Sequence, residues 1–214
     1  TPISISQICP QAPEGRAPVD KSEKSKSVYA AWAAVGMSTA ESVLLGCQSV
    51  VVEGTSDQHY LTAIKNYLIG KGMLRPSRDI LFMPSNGVKG TKAVCALVMG
   101  KDDELPFAVL DSDETGKKFS ESLKSGLYQG DKDHVRLVGE FINIPDAEIE
   151  DLFPPALIAR IFDRYVTRPG GVEEDFADVV KDGQAIVPQI EAYAAKHGIA
   201  LDEGWKVDVA KKVN

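Results

Sequence analysis

The sequence contains little cysteine or histidine, and neither is spaced as in a metal or redox site. Its three cysteines, Cys9, Cys47 and Cys95, are odd in number and include no CxxC pair. We therefore expect reduced thiols in a cytoplasmic protein rather than a disulfide framework. The three histidines are scattered, without an HxxxH pair or a Cys/His combination, so a zinc site is not expected.

Long apolar runs are also missing. No stretch approaches the ~20 residues of a membrane span, and no basic and apolar signal peptide opens the chain. The 214 residues are 43% hydrophobic and 26% charged, as in an ordinary globular protein with a core of normal size. We therefore expect no membrane partner.

Positive charge is in deficit, since the formal net charge is −7. By itself this balance argues against non-specific binding of nucleic acid, which needs cationic contacts to phosphates. Carboxylates clustered around divalent cations would neutralise part of that charge. The net charge therefore does not decide whether the chain binds nucleic acid.

Alternating strand and helix patterns predict an α/β fold. Apolar runs predict four strands, with helical patterns between them, at residues 49–53, 79–84, 105–111 and 134–144. Strands that alternate with helices in this way pair in parallel through right-handed crossovers. We expect a parallel sheet flanked by helices.

The two ends of the chain depart from this pattern. Residues 1–27 are rich in Pro, Ser and Lys and predict a flexible arm or linker. Residues 28–145 are the expected α/β domain, with two short helices before its first strand. Residues 146–214 are the expected helical subdomain, with helices predicted at 146–168, 172–182, 184–197 and 204–213.

Acidic residues follow the first predicted strand. Glu53 comes directly after three valines, where ligands bind in open α/β sheets, and it has no obvious structural use. Asp57 lies one turn later, in the first turn of the next helix. The helix dipole favours a carboxylate there, which by itself is the better explanation of Asp57.

The third predicted strand ends in a DxD pattern. Residues i and i+2 of extended backbone point the same way, so Asp111 and Asp113 would both reach one hard cation. The pattern is common in surface loops, and its value here is its position after a buried strand.

The third acidic group, Glu148, Glu150 and Asp151, follows the fourth predicted strand. Taken alone, it is better explained as a solvated first helical turn. Three acidic groups at successive strand ends would repel one another unless cations lay between them. Two metals ~3.5–4 Å apart would suit phosphodiester cleavage, because they activate water and stabilise the leaving oxygen.

These motifs resemble known catalytic sequences. EGTSD at 53–57 followed by DSDETG at 111–116 resembles a Toprim domain, the catalytic fold shared by topoisomerases, primases and several nucleases. AESVLLGCQSVVVEGTSDQHYL, VLDSDETGKK and AEIEDLFP resemble the C-terminal nuclease region of the OLD (overcoming lysogenization defect) family. The resemblance covers roughly residues 28–165. It implies a Toprim-type sheet with a helical part, acting as a DNA nuclease with two divalent cations, Mg²⁺ or Mn²⁺.

In that family an ABC-type ATPase precedes the nuclease. This chain has no GxxxxGK[ST] loop. We therefore expect the ATPase domain N-terminal to this fragment in the full-length protein, with the arm at 1–27 as the excision point. We also expect any homo-oligomer to form through the missing part.

The resemblance also implies site residues. It places the metal ligands at Glu53, Asp57, Asp111, Asp113 and Glu150, with Glu148 as the competitor of Glu150. Glu53 and Asp111 would be catalytic, together with a lysine of the helical part. Lys206, beside Trp205, is our choice for that lysine, and Lys211 and Lys212 are the alternatives.

The chain departs from the family after the second strand, where a glycine pair is common. Here SNGVKG separates Gly87 from Gly90, and this segment either contacts phosphate or forms a tight turn.

The function expected is endonucleolytic DNA cleavage. The alternative is a non-catalytic Toprim-like module that binds nucleic acid or a partner.

Overall fold

The computed structural model describes residues 47–102, 105–170 and 173–213, and these form an α/β fold. The arm predicted at 1–27 and the two short helices predicted before the first strand lie outside the described residues. The strands are β1 Gln48–Val52, β2 Ile80–Pro84, β3 Phe107–Leu110 and β4 Val135–Leu137. Their order is β2-β1-β3-β4, and every neighbouring pair is parallel. The predicted parallel sheet is confirmed.

Helices on the two faces of the sheet connect the strands. They are α1 Thr55–Gly70, α2 Val88–Asp102 and α3 Glu114–Ser125. Successive strand residues point to opposite faces, and Leu110 accordingly packs in the core that α2 and α3 share. Val109 packs instead in a second core with Tyr60 of α1. The sheet is therefore covered on both sides, which is why its first strand is a run of valines.

In the described residues that follow the sheet, the α-helices are α4 Pro155–Tyr165, α5 Phe176–Val179, α6 Ile186–His197 and α7 Trp205–Val213. Phe162 of α4 joins them, since its ring meets those of Phe176, Tyr193 and Trp205 edge-on at 5.6, 6.4 and 6.2 Å between centroids. The same core includes Tyr60 of α1. The helical part therefore packs on the α1 side of the sheet. None of the helices in the described ranges is long and apolar enough to cross a membrane.

The fourth strand is shorter than the predicted 134–144. After β4 the chain turns into a 3-10 helix at Val138–Glu140. The Leu137 N–H donates to the Glu140 carboxylate at 3.2 Å, and the Gly139 N–H donates to Ser112 Oγ at 2.6 Å. These bonds occupy the backbone donors that an extended strand would direct to a neighbour, and the turn therefore ends the ladder.

Two predicted helices are also shorter. In 146–168, only a 3-10 helix at Ile149–Leu152 precedes α4, because Pro154 interrupts the helix between them and Pro155 begins α4. In the described part of 172–182, which begins at residue 173, only α5 forms. The carboxylate of Asp163 accepts the N–H groups of Phe176 and Ala177 at 2.8 and 2.9 Å, and these bonds fix this short turn. The helices predicted at 184–197 and 204–213 are confirmed as α6 and α7.

Candidate metal centre

A crevice opens where β1 and β3 end. These two strands are neighbours, but the chain leaves β1 toward β2 and leaves β3 toward β4 on the other side. Ligands of open α/β sheets bind at such a switch point. A cavity of about 190 Å³ lies there. Its lining includes most of the predicted site residues, namely Glu53, Asp57, Asp111, Glu148, Glu150 and Lys206. We refer to the five acids among them as the carboxylate cluster.

The end of β1 provides two of these acids. Glu53 follows directly after the strand, and its Oε1 accepts the N–H of Asp111 at 3.1 Å, which links the ends of β1 and β3. Asp57 is buried at the start of α1, where its carboxylate accepts the Gly54 N–H at 2.8 Å and the Ser56 hydroxyl at 3.1 Å. Asp57 therefore acts as a helix cap and also lines the cavity.

The two acids of the DxD pattern separate. Asp111 lines the cavity, and its Oδ1 accepts the Ile149 N–H at 3.2 Å. Asp113 is exposed, and its carboxylate caps α3 by accepting the Gly116 N–H at 2.6 Å. The strand ends at Leu110, and the alternation that would direct both carboxylates to one cation does not extend to Asp113.

Glycines allow helices to begin directly over the strand ends. A Cβ on Gly116 would lie 2.1 Å from the carbonyl oxygen of Asp111, and a Cβ on Gly90 would lie 2.0 Å from that of Ser85. Both contacts are with backbone five residues earlier, so only glycine fits. Gly87 has a different requirement, a φ of +99°, and its N–H donates to the Glu53 carbonyl at 2.8 Å. The separated glycines of SNGVKG thus form a tight turn against the end of β1.

The segment after β4 contributes neighbouring buried acids with different environments. Asp151 accepts the N–H groups of Glu148 and Ile186 at 2.9 and 2.8 Å, so its role is structural. Glu150 is only 3% exposed, and its Oε1 has no hydrogen-bond partner among the described residues. An unpartnered buried carboxylate oxygen is costly unless something neutralises it. Of the two, Glu150 is therefore the acid without a structural explanation.

Lys206 enters the cavity from the first turn of α7. Its ammonium group pairs with Glu148, and the buried ring of Trp205 anchors the helix beside it. Lys211 and Lys212 are exposed, and Lys211 pairs with Asp208 at 3.0 Å. Of the three candidate lysines, the structure places Lys206 with the acids. The choice depends on long-range packing, because α1 and α7 lie against each other.

The carboxylate cluster is electrostatically strained. Burial, with repulsion from neighbouring acids, raises the pKa of Glu53 from 4.5 to about 7 and the pKa of Asp111 from 3.8 to about 9. Burial also raises the pKa of Glu150 to about 8, although Lys206 opposes the shift. Burial alone would lower the pKa of Lys206, but Glu150 and Glu148 reverse that effect and raise it. One ammonium group thus faces five acids.

These residues fit a hard divalent cation. In the described ranges, no three Asp, Glu, His or Cys side chains are already arranged to hold a metal ion. The donors are nevertheless carboxylate oxygens, which Mg²⁺ and Mn²⁺ prefer, and Glu150 Oε1 lacks a partner in this part of the chain. The ammonium of Lys206 stands beside Glu148 as a positive charge. A cation would require the side chains to move together.

Sequence reasoning missed two polar supports of the site. Ser112, between the two acids of DxD, is buried, and its Oγ accepts the Gly139 N–H while its own N–H donates to the Ala147 carbonyl at 2.8 Å. It ties the segment after β4 to the end of β3. Ser85 is also buried, and its hydroxyl donates to the Val52 carbonyl at 2.9 Å. A small hydroxyl residue within two positions of a strand end was the available signal.

No protein-family model, curated protein or solved structure matches the chain. Any assignment of function therefore depends on the chemistry of the carboxylate cluster and of the residues around it.

Proposed function

We propose that this chain is a divalent-metal-dependent DNA endonuclease with a Toprim-type catalytic domain of the OLD family. The observation that carries the proposal is the convergence of Glu53, Asp111 and Glu150 on one cavity at the switch point of the sheet. None of these three carboxylates has a cationic partner at hydrogen-bond distance in the described residues. Buried acids without such partners are a recurrent mark of functional sites.

The residues have distinct roles in this proposal. Glu53 and Asp111 hold the cations, with Asp57, Glu148 and Glu150 as further ligands, whereas Asp113 lies outside the cavity. When bound, two Mg²⁺ or Mn²⁺ ions lower the pKa of water and stabilise charge on the reacting phosphate. Lys206 supplies a fixed positive charge for the phosphoryl oxygens as negative charge develops on them. Glu148 positions that ammonium group by pairing with it.

One observation favours the alternative of a non-catalytic Toprim-like module that binds nucleic acid or a partner. The ammonium of Lys206 already pairs with Glu148, and no ready-made metal group exists in the described ranges. If Lys206 stays paired with Glu148 and no metal binds, the protein would bind nucleic acid or a partner without cleaving it. Cleavage in the presence of metal separates the two functions.

The test is incubation of supercoiled plasmid with the 214-residue chain in Mg²⁺, in Mn²⁺ and in EDTA. We expect nicking in at least one metal and none in EDTA. Glu53→Ala and Asp111→Ala should each lower the nicking rate by about 100-fold or more. Glu121→Ala, which removes an exposed acid on α3, should retain the wild-type rate.

Two results would contradict the proposal. A folded wild-type protein that nicks in neither metal is not the nuclease that we propose. Full nicking by Glu53→Ala or Asp111→Ala, with thermal unfolding like that of the wild type, would mean that the carboxylate cluster is not the catalytic site.

A further inference from the structure

A second cavity lies in the helical part, outside the carboxylate cluster. Its volume is about 710 Å³, and α4, the segment that follows it and α5 form its walls. Three arginines and three aspartates line it. Such a cavity binds a charged ligand only if the charge on one side is not already neutralised.

Two of the three aspartates are held by contacts within the protein. Asp163 accepts two backbone N–H groups of α5 and pairs with Arg168 at 2.6 Å. Asp175 pairs with the other terminal nitrogen of Arg168. One arginine thus connects two of the three acids, and these three side chains join α4 to α5. Asp178, the third acid, is exposed and has no ion pair with any described residue.

Arg160 and Arg164 remain available. Both are exposed, and neither forms an ion pair or a hydrogen bond with any described residue. They are four residues apart on α4, so they lie on one face of the helix about 6 Å apart along its axis. Two unpaired arginines that line one groove are unusual in a chain of net charge −7. Guanidinium groups bind phosphate through paired N–H donors.

The groove is linked to the carboxylate cluster by its position. It begins at Ala156 in the first turn of α4, a few residues after Glu150. Helix α4 also contacts α7, because Phe162 packs edge-on against Trp205, the residue before Lys206. The groove, at about 710 Å³, has room for more than one phosphate group.

We propose that the Arg160–Arg164 groove binds the sugar-phosphate backbone of the nucleic acid that reaches the carboxylate cluster. This inference rests on the proposed function. Contacts of this kind position the substrate without reading its sequence. The groove shares no lining residue with the cavity of the carboxylate cluster, so it acts in binding and not in the chemical step.

The test measures how binding depends on salt. The 214-residue chain is titrated against a fluorescein-labelled 20-base-pair duplex in Ca²⁺ at several salt concentrations. The groove variant is Arg160→Ala/Arg164→Ala. The matched control is Arg75→Ala/Arg78→Ala, which removes two exposed arginines just before the edge strand β2, outside the lining of the groove. Arg160→Lys/Arg164→Lys keeps both charges.

Each phosphate contact contributes about 0.9 to the slope of log affinity against log salt for duplex DNA. The groove variant should therefore lose about 1.8 of that slope, and its affinity should fall at low salt. The control variant and the double lysine variant should keep the wild-type slope. All variants change exposed side chains, and equal melting temperatures would verify that each is folded.

Wild-type affinity and slope in the groove variant would overturn the inference, and so would wild-type protein that does not bind the duplex at all. If the wild type nicks plasmid and the groove variant binds the duplex normally, the proposed nuclease function stands and the inference about the groove is wrong. If the groove variant loses the salt dependence but the wild type does not nick plasmid in either metal, the inference about the groove stands and the proposed nuclease function is wrong.

Discussion

Replacing Glu150 with glutamine tests whether the buried carboxylate is held ready for a cation. Glu150 and Asp151 are neighbours and both are buried, at 3% and 8% exposure. Asp151 accepts two backbone N–H groups, whereas Glu150 Oε1 has no partner in the described structure. The same substitution, acid to amide, should therefore have opposite effects at the two positions.

The magnitude follows from the pKa of Glu150, which burial raises from 4.5 to about 8. The folded protein binds this proton more tightly than the unfolded chain. The resulting stabilisation is complete below pH 4.5 and is lost as the pH rises through 8. At pH 8 the ionised carboxylate costs up to about 4 kcal/mol. Glutamine carries no charge, and Glu150→Gln should raise the melting temperature in EDTA by several degrees at pH 8, with little change at pH 5.

Asp151→Asn should behave in the opposite way. Asparagine has one acceptor oxygen in place of two, so one of the N–H groups of Glu148 and Ile186 would lose its partner. The expected loss is about 1–3 kcal/mol at pH 8. Added Mn²⁺ should stabilise the wild type and Asp151→Asn, and should stabilise Glu150→Gln less.

The assay is thermal unfolding followed by circular dichroism in EDTA and in Mn²⁺. If Glu150→Gln lowers the melting temperature in EDTA as much as Asp151→Asn does, then Glu150 is a structural acid. The interpretation of the carboxylate cluster as a cation site would then be wrong.

Three further predictions concern pH, glycine and lysine. Because Glu53, Asp111 and Glu150 have pKa values of about 7 to 9, the melting temperature in EDTA should fall from pH 5 to pH 9. Mn²⁺ should raise the melting temperature more at pH 8 than at pH 5. Equal stabilisation by Mn²⁺ at both pH values would contradict this prediction. Gly116→Ala should cost about 1–3 kcal/mol in urea unfolding, because its Cβ would meet backbone at 2.1 Å, whereas Gly130→Ala, with nothing within 4 Å, should not destabilise. Lys206→Met should lower plasmid nicking about 100-fold without weakening Mn²⁺ binding measured by calorimetry; a similar loss in Lys211→Met would remove the reason to choose Lys206.

The sheet was predictable from local signals. The valines of β1 and the apolar runs of β2 and β3 indicate buried strands, and helical patterns between them imply parallel pairing. The order β2-β1-β3-β4 was not predictable in this way, because it depends on which edge each crossover reaches. The fourth strand was overestimated, since the side-chain cap of Glu140 competes with the ladder and leaves little trace in hydrophobic periodicity.

The carboxylate cluster was predictable as a group because acids at the ends of neighbouring parallel strands meet at one edge. The roles of the individual residues were not all predictable. Asp113 turns outward because the strand ends at Leu110. Asp57 lies at the start of α1, as its position after β1 predicted, and it also lines the cavity. Lys206 reaches the acids only through the packing of α7 against α1, between residues far apart in the sequence.

The location of Mn²⁺ in crystals of this chain tests the central claim most directly. Anomalous scattering identifies the ion independently of any activity. We predict Mn²⁺ in the cavity at the ends of β1 and β3, bound by Glu53 and Asp111, with Glu150 as a further ligand. A well-ordered cavity without anomalous density at saturating Mn²⁺ would contradict the assignment of this cavity as a metal centre.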